Sequence, residues 1–369
     1  MIITYLFNSS IPSRNPGSLQ VIKTCEGFLK LKNKVNLIVP STGLKMSIKK
    51  YYNLTKTPNI LRLKYFKKFP QGLNYYLFSI FSILYGIYLK TDLFVTRNLF
   101  NVFILNFFKK NTIIEIHHDL SNEGRVVNII YRYFSILNND NVVKIVAITD
   151  AVKKYLIINF NVNPNKIVVI PSASAIKVKF KKIYKKKIYN IGYFGSLDET
   201  KGVNFIMKLS SLDAKNKYYV YGGDKSQVDK LNKINKSTNL KICPYVPYSQ
   251  VGKKLQNMDV LLMPSDKNLL KSTGGVGNIA KYTSPLKLFD YLASGKLIIT
   301  SNLKVFKEVI QNNVNCFVIN DLNLNKWHKK LQNLNKNLSK INNIKINAFN
   351  LSKKYTYDKR AQKILQNIN

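Results

Sequence analysis

Two lysines in the second half of the chain stand where helices are predicted to begin. Lys201 ends the loop GSLDET, and Lys287 follows Ser284 and Pro285 in the stretch SPLKLFDYLASGKLIIT. The N-terminus of a helix carries partial positive charge, so a lysine is unfavourable there unless a bound anion contacts both the lysine and the helix end. One such lysine could be an ordinary solvated charge, but two in one half of the chain favour an anion site.

The predicted helix that carries Lys287 has further polar chemistry. Ser284 is a good N-cap, Pro285 suits the first helical position, and Gly295 ends the helix. Asp290 lies beyond the first turn, where its carboxylate could accept hydrogen bonds from sugar or ribose hydroxyls. On these residues alone, the segment is either an amphipathic helix with solvated charges or the anion-binding end of an active site.

Several other polar loops directly follow predicted strands, which is where doubly wound domains bind ligands. In the first half, Gly17 follows the first strand, and the cluster His117-His118-Asp119 follows the predicted strand Thr112–Ile116. No third His or Cys lies near the cluster, so ligand contact is favoured over a metal site. In the second half, such loops contain Gly195, Ser196, Gly222, Tyr245 and Val246.

These loops need a scaffold that gathers the carboxyl ends of strands. Short apolar runs alternate with amphipathic stretches throughout, which predicts parallel sheets covered by helices on both faces. The strands are too numerous for one open sheet, so two doubly wound, Rossmann-like α/β domains are expected. The predicted strands are Ile2–Phe7, Val35–Val39, Leu93–Thr96, Thr112–Ile116, Val143–Ile148, Ile167–Ile170, Asn190–Phe194, Tyr218–Tyr221, Leu240–Ile242, Val260–Met263, Leu297–Thr300 and Cys316–Ile319.

The domain boundary is predicted from a change in composition. Residues 177–189 are lysine-rich, lack glycine and have no helical apolar stripe. We therefore expect domains at 1–176 and 190–351, joined by this linker and followed by a C-terminal helix at 352–369.

Composition bounds the compartment and the partners. The chain has 369 residues, 46% of them hydrophobic, and three widely spaced cysteines, which predicts a folded protein of a reducing cytoplasm without disulfides or cofactors. The net charge of +41 indicates a polyanion-seeking surface or A/T-rich coding drift, because asparagine is enriched as well. No nucleic-acid-binding module is recognisable, so nucleic acid is not an expected partner.

Two segments bear on the membrane. The apolar stretch Leu73–Leu89 is shorter than the roughly 20 residues that span a bilayer, so we expect a buried helix. The stretch Leu61–Gly72 is cationic and contains aromatic residues. It could contact an anionic membrane surface, or it could be a run of solvated lysines. The N-terminus lacks the basic start of a signal peptide and is expected to be a buried strand.

The blocks NIGYFGSLDETKGV, PYVPYSQVGKKLQNMDVLLMP and SPLKLFDYLASGKLIIT, in this order, resemble the retaining GT-B glycosyltransferases of glycosyltransferase family 4. Less specific blocks extend the resemblance over nearly the whole chain. It implies two Rossmann-like domains facing a cleft, a nucleotide-sugar donor bound mainly by the C-terminal domain, and an acceptor bound by the N-terminal domain. It also implies a last helix that crosses back to the N-terminal domain.

The resemblance also implies roles for individual residues. Lys201 and Lys287 would contact the diphosphate, and His118 would lie near the transferring sugar, although the adjacent His117 leaves a one-residue ambiguity. Asp290 matches the second carboxylate of a Glu-x7-Glu motif and would hold the ribose. Together with Asp290, the implied donor-binding residues are Gly17, Gly195, Ser196, Gly222, Tyr245, Val246, Ser284, Pro285, Leu286 and Leu288.

The chain departs from the family pattern at two positions. Ser196 stands where an arginine of the basic pair is usual, and Tyr282 stands where the first glutamate of Glu-x7-Glu is expected. We expect a glycosyltransferase that needs no metal and uses a glycan or lipid-linked acceptor of surface polysaccharide or lipopolysaccharide synthesis, in the cytoplasm or peripherally on the inner face of its membrane. A sugar-nucleotide 2-epimerase of the same fold and a non-catalytic nucleotide-sugar-binding or polyanion-binding protein remain alternatives.

Overall fold

The computed structural model describes residues 1–44, 46–64, 71–120, 125–271 and 277–368. The chain forms two compact units. Unit 1 contains Met1–Ser172, Tyr282–Ser284 and Tyr357–Asn369, and unit 2 contains Ala173–Lys281 and Pro285–Thr356. Each unit is built on one parallel sheet.

Unit 1 contains a seven-stranded sheet in the order β3-β2-β1-β4-β5-β6-β7, in which every pairing is parallel. Its strands are Ile2–Leu6 (β1), Lys34–Pro40 (β2), Asn59–Leu63 (β3), Leu93–Thr96 (β4), Thr112–Ile116 (β5), Val142–Ala147 (β6) and Ile167–Val169 (β7). Its helices between the strands are Pro16–Lys30 (α1), Ile48–Tyr52 (α2), Gln71–Tyr88 (α3), Leu99–Phe107 (α4), Arg125–Tyr133 (α5) and Asp150–Phe160 (α6).

Unit 2 contains a six-stranded parallel sheet in the order β10-β9-β8-β11-β12-β13. Its strands are Asn190–Phe194 (β8), Lys217–Tyr221 (β9), Leu240–Cys243 (β10), Val260–Met263 (β11), Leu297–Ser301 (β12) and Phe317–Ile319 (β13). Its helices are Val203–Leu212 (α7), Lys225–Ile234 (α8), Tyr248–Gln256 (α9), Leu286–Ser294 (α10), Leu324–Gln332 (α11) and Leu338–Ser352 (α12).

Both sheets have the doubly wound order in which the chain reverses direction beside its first strand. Because parallel crossovers are right-handed, α1 and α2 cover one face of the first sheet and α3 to α6 cover the other. The C-terminal helix Tyr357–Leu365 (α13) belongs to unit 1 and packs on α1, where a Cβ on Gly27 would lie 2.6 Å from the Ala361 Cβ. The predicted fold class, two Rossmann-like α/β domains, is confirmed.

The strand β3 was not predicted from the sequence. Its five residues NILRL lie at the edge of the sheet, and none of them is fully buried. An edge strand needs no continuous apolar run, so the pattern that predicted the buried strands does not mark it. The basic stretch Leu61–Gly72 therefore begins inside a strand, and its residues 65–70 lie outside the described part of the chain.

Residues 177–189, predicted as the linker, run along unit 2. The backbone N–H of Ile183 donates to Asn342 Oδ1 at 2.8 Å and its carbonyl accepts from Asn342 Nδ2 at 3.0 Å, so α12 holds this segment in place. The Ile183 side chain is buried in the core of unit 2.

The helix expected at Leu73–Leu89 is present as α3, but the expectation that it is buried is wrong. Apolar and aromatic side chains cover its exposed side, whereas Asn74, Ser79 and Ser82 are among its buried residues. The pattern predicted helix correctly and burial incorrectly because hydrophobicity alone does not tell which side of a helix faces the sheet. In the described part of the chain, no helix is both long and apolar enough to cross a membrane.

Candidate active site

Lys287 lies against an aromatic side chain at the carboxyl end of β8. Its Nζ donates a hydrogen bond to the Tyr193 hydroxyl at 3.1 Å and sits 4.4 Å from the centroid of the Tyr193 ring. Tyr193 is fully buried, and its hydroxyl donates to the Ser196 carbonyl at 2.9 Å. Burial, followed by the nearby charge of Lys201, lowers the pKa of Lys287 to about 7.

Lys201 reaches the same place from the loop after β8. Its Nζ donates to the Ser196 Oγ at 2.8 Å. Lys201 closes a short 3-10 turn, Glu199–Lys201, and α7 begins two residues later, so this lysine precedes the helix rather than starting it. Burial lowers its pKa as well, while Asp198 opposes that effect.

The two ammonium groups therefore form a cationic pair in unit 2. Each lowers the cost of bringing in an anion and raises the cost of leaving the site without one. A bound phosphate or diphosphate would offset the repulsion and favour the charged form of both lysines. Tyr193, which sequence reasoning missed, orients Lys287.

The glycines of this site permit close contact between loops. A Cβ on Gly222 would lie 1.8 Å from the Gly195 carbonyl oxygen, so the backbones of the loops after β8 and β9 approach closely. A Cβ on Gly195 would lie 3.3 Å from the Lys287 Nζ and 3.1 Å from the Tyr193 hydroxyl. Both residues were predicted to contact the donor, and the structure gives each a packing reason to be glycine.

The start of α10 differs in detail from the prediction. The N-cap is Pro285, no side chain caps the helix, and the first turn contains no acidic residue. Ser284 is therefore not the N-cap. It belongs to unit 1, where its Oγ accepts from the Ser172 N–H at 3.1 Å and its carbonyl accepts from the Ser172 Oγ at 2.6 Å. Lys287, the second residue of α10, does lie in the first turn, as predicted.

Two leucines of the α10 start differ in burial. Leu288 is 1% exposed and packs in the interior of unit 2, so its side chain is not available to a ligand, whereas Leu286 is only partly buried. Tyr245 and Val246 follow β10 and are also partly exposed, and the Tyr245 N–H donates to the Gly223 carbonyl at 3.0 Å. Contact of these residues with a base stays a prediction.

Asp290 is buried within unit 2 and already accepts two hydrogen bonds. Its Oδ1 accepts from the Ser174 Oγ at 2.5 Å and from the Tyr248 hydroxyl at 2.9 Å. Burial raises the pKa of the Asp290 carboxyl to about 7, and the two hydrogen bonds oppose that rise. Ser174 and Tyr248 were missed by sequence reasoning, although Tyr248 lies within the block PYVPYSQV that resembles the family. A ribose contact from Asp290 stays a prediction.

In unit 1, the two adjacent histidines have different environments. The His117 Nε2 lies 3.2 Å from Glu115 Oε2, and Glu115 Oε1 accepts from Arg360 of α13 at 2.9 Å. Burial lowers the pKa of His117 to about 3. Burial alone would raise the pKa of Glu115, but the charge of Arg360 and the hydrogen bond with His117 together outweigh it and lower that pKa to about 2. His117 thus belongs to a buried network. His118, whose Nδ1 lies 2.5 Å from the Asp119 carbonyl oxygen, is left as the candidate for ligand contact.

Gly17 is the second residue of α1, two residues after the N-cap Asn15. A Cβ on Gly17 would lie 3.1 Å from Nη1 of Arg97, which follows β4. Arg97 was missed as a site candidate, although it falls in the block TDLFVTRN that carries the family resemblance. A guanidinium beside a helix N-terminus suits an anionic group of a ligand.

Tyr282 also belongs to unit 1. Its ring lies edge-on to Tyr155 with centroids 5.7 Å apart, and its carbonyl accepts from the Thr149 Oγ1 at 3.2 Å. Burial, followed by the charge of Asp119, raises the pKa of the Tyr282 phenol. The position expected to hold a glutamate therefore holds a phenol in an aromatic and acidic setting. No group of three or more His, Cys, Asp or Glu side chains that could hold a metal ion occurs among the described residues.

Comparisons with known proteins agree with this fold. Residues 188–337 match the family model of glycosyl transferases group 1. No curated relative matches the chain. Similar solved structures include Anabaena Alr3699/HepE in complex with UDP-glucose (TM-score 0.71, 13% identity, 99% of this chain and 98% of that one) and WaaG, a glycosyltransferase involved in lipopolysaccharide biosynthesis (TM-score 0.65, 14% identity, 99% and 100%). A sucrose-phosphate synthase from Thermosynechococcus elongatus is also similar (TM-score 0.74, 11% identity, 99% and 97%).

Proposed function

We propose that this chain, which carries a group 1 glycosyltransferase domain within a GT-B fold, is a retaining glycosyltransferase. It would transfer a sugar from a UDP- or GDP-type nucleotide-sugar to a glycan or lipid-linked acceptor of surface polysaccharide or lipopolysaccharide synthesis. The observation that carries the proposal is the pair Lys201 and Lys287, two lysines held by Ser196 and Tyr193 at the carboxyl end of β8, with pKa values that burial lowers. The structural similarity to HepE, which was solved in complex with UDP-glucose, and to WaaG, which is involved in lipopolysaccharide biosynthesis, supports the donor and acceptor classes.

The lysine pair suits the departure of a nucleoside diphosphate. As the bond between the sugar C1 and the phosphate oxygen breaks, negative charge grows on the leaving group, and fixed cations stabilise that charge. In the proposed reaction the acceptor oxygen bonds to C1 on the face from which the phosphate departs, and the hydroxyl proton moves to a phosphate oxygen. The lysines supply the charge stabilisation that a divalent cation supplies elsewhere, so we propose a reaction without a metal cofactor.

The protein is proposed to act in the cytoplasm, at the inner face of the cytoplasmic membrane, because lipid-linked acceptors are held there. The net charge of +41 supports attraction to an anionic bilayer surface. The acceptor would bind unit 1, and His118 keeps the role near the transferring sugar that the family resemblance implies.

One alternative function has an observation in its favour. Tyr282 and Ser196 stand where the family uses a glutamate and an arginine, which favours a protein that binds nucleotide-sugars without turnover. A phenol cannot replace the charge of a carboxylate, and a serine hydroxyl cannot replace a guanidinium. The hydroxyl of Ser196 nevertheless accepts a hydrogen bond from Lys201, so it contributes to the lysine pair.

One experiment separates these functions. The purified chain is incubated with a panel of UDP- and GDP-sugars together with lipid-linked and free glycan acceptors. Nucleoside diphosphate release coupled to a glycosylated product with retained anomeric configuration supports the proposed transfer. Saturable binding without turnover supports the non-catalytic alternative, and conversion of one sugar nucleotide into its epimer supports an epimerase.

A further inference from the structure

The helix α3 is apolar and aromatic on its exposed side as well as partly apolar on its buried side. None of its 18 residues, QGLNYYLFSIFSILYGIY, is charged. A surface helix normally turns its apolar stripe to the core and its polar face to water. On α3 the buried side combines Phe78 and Ile83 with Asn74, Ser79 and Ser82, whereas the exposed side carries the large apolar and aromatic residues Leu73, Tyr76, Ile80, Phe81, Leu84, Tyr85 and Tyr88. An apolar surface of this extent on a folded domain marks a contact with a partner.

The same character continues at the C-terminal ends of the next two helices. Tyr88 at the end of α3 is 77% exposed, Phe107 at the end of α4 is 81% exposed, and Tyr133 at the end of α5 is 83% exposed. Exposed lysines come two residues after the first two of these aromatic residues: Lys90 after Tyr88 and Lys109 after Phe107. Three consecutive helices therefore end in an exposed aromatic residue, and two of them add a cation.

The C-terminal ends of these helices lie on the side of unit 1 where the strands begin. The strands of the sheet are parallel and each helix runs back along them, so the C-termini of the helices gather where the strands begin. The N–H of Ile2 at the start of β1 donates to Asp92, just past the end of α3, at 2.7 Å. This side is opposite the carboxyl ends of the strands, where Gly17 and His118 lie.

Ring contacts link α3 to α4 and α4 to the residue after α5. Tyr76 of α3 lies edge-on to Phe100 of α4 with centroids 4.6 Å apart, and Phe103 of α4 lies 5.9 Å from Phe134, which directly follows α5. Phe134 is 59% exposed. We call this surface, formed by the exposed side of α3 and the ends of α4 and α5, the aromatic face.

We propose that the aromatic face docks on the surface of an anionic lipid bilayer. Aromatic residues partition to the membrane interface, and lysines placed beside them bind anionic headgroups. A protein interface would favour an apolar centre depleted of lysine, whereas here exposed lysines lie two residues from Tyr88 and Phe107. The proposal rests on the peripheral association proposed above and assigns a surface to it, on α3 to α5 rather than on the cationic stretch 61–72.

The test is partitioning onto vesicles of phosphatidylcholine with and without phosphatidylglycerol. Because the substituted side chains are exposed, the triple variant Tyr88→Ser/Phe107→Ser/Tyr133→Ser should keep its fold, and we expect its partition coefficient to fall more than tenfold. The matched control Tyr184→Ser/Ile234→Ser/Leu269→Ser removes three exposed apolar side chains of unit 2 and should bind like the parent chain. Equal losses in both triple variants would overturn the proposal.

The charge contribution is tested separately. Each lysine near an anionic surface contributes about fivefold in affinity, so Lys90→Gln/Lys109→Gln should lower binding to phosphatidylglycerol vesicles by roughly 25-fold. Lys225→Gln/Lys230→Gln has the same net charge, removes two exposed lysines of unit 2, and should lower binding much less. If both pairs lose binding equally, diffuse charge rather than the aromatic face attracts the chain, and the proposal fails.

Two further measurements keep the proposal distinct from its alternatives. If light scattering shows a dimer that the aromatic triple variant dissociates, a second copy of the chain covers this face and the lipid proposal is wrong. Binding of UDP and GDP is measured without lipid, and the aromatic variant should keep the affinity of the parent chain. Nucleotide binding without vesicle binding refutes only this inference, whereas vesicle binding without nucleotide binding or sugar transfer refutes only the proposed function.

Discussion

Lys287 offers a direct test of the proposed donor site through the substitution Lys287→Met. Methionine keeps most of the volume of the side chain and removes its charge. The lysine contacts the Tyr193 hydroxyl and ring, so the variant loses one hydrogen bond within the protein and the cation that would face a diphosphate. A hydrogen bond to a charged group contributes about 1.5–3 kcal/mol. The affinity for UDP or GDP should therefore fall by about 10- to 200-fold.

The same substitution should not cost stability. Burial and the charge of Lys201 lower the pKa of Lys287 to about 7, so the folded state binds its proton less tightly than the unfolded state does. Between the folded pKa and the ordinary lysine pKa of about 10.4, the unfolded chain holds more protons, and stability rises with pH. Below pH 7 the charged amine costs stability in full. Lys287→Met should therefore keep or raise the melting temperature at neutral pH.

The lowered pKa also predicts a pH dependence of binding. In the empty protein, the protonated fraction of Lys287 falls as the pH rises through about 7. A diphosphate favours the protonated form, so binding near pH 8 should take up a proton, and affinity should decline from about pH 6 to about pH 8.5. Calorimetry in buffers of different ionisation enthalpy measures that uptake, which should disappear in Lys287→Met.

Lys330→Met provides the matched control. The Lys330 Nζ lies 4.3 Å from the centroid of the Phe317 ring in the same unit, nearly the distance between Lys287 and Tyr193, and burial lowers its pKa too. The control should keep its affinity for UDP and GDP. Unchanged affinity in Lys287→Met, or an equal loss in Lys330→Met, would refute the assignment of Lys287 to the diphosphate.

Three further substitutions test the structure around the two sites. Glu115→Gln removes one partner of the buried pair with Arg360, so urea denaturation should show a loss of about 3–5 kcal/mol; a loss below 1 kcal/mol would argue against a buried charge there. Asp290→Asn should stabilise the protein at about pH 8 and have little effect at about pH 4. The pKa of the Asp290 carboxyl is raised from 3.8 to about 7, so its ionisation makes the folded state less stable as the pH rises through that range. Urea titrations at about pH 4 and about pH 8 that showed equal effects of the substitution would contradict the raised pKa. Gly222→Ala should lower stability by at least about 1–3 kcal/mol, because its Cβ would overlap the Gly195 carbonyl, and an unchanged melting temperature would contradict that contact.

The parallel sheets were predictable because their buried strands are nearly continuous apolar runs. The strands β4, β5, β8 and β11 have the predicted bounds, and the other predicted strands differ only at their ends. The edge strand β3 was missed because a strand with few buried residues leaves no such run. The local sequence pattern therefore identified the buried strands and missed the edge strand β3.

The candidate site was predictable only where its chemistry is local. Lys287 was correctly placed in the first turn of its helix, because a proline start and a glycine stop define α10 from the sequence. Tyr193 and Ser174, which contact Lys287 and Asp290, come from other elements, and nothing in the neighbouring sequence indicates those contacts. Contacts between residues that are distant in sequence can be identified only from the structure.

Tyr282 shows how such a partner can account for a departure from the family pattern. Beside the ring of Tyr155, the Tyr282 phenol lies close enough to Asp119 for the carboxylate to raise its pKa. A glutamate in this position would meet a like charge in a partly buried setting, which would raise its pKa and weaken its carboxylate character. A phenol avoids that repulsion and still offers a hydroxyl that can donate or accept a hydrogen bond. The missing glutamate is thus consistent with the local electrostatics of unit 1, and Asp119, far away in sequence, is the residue that makes it so.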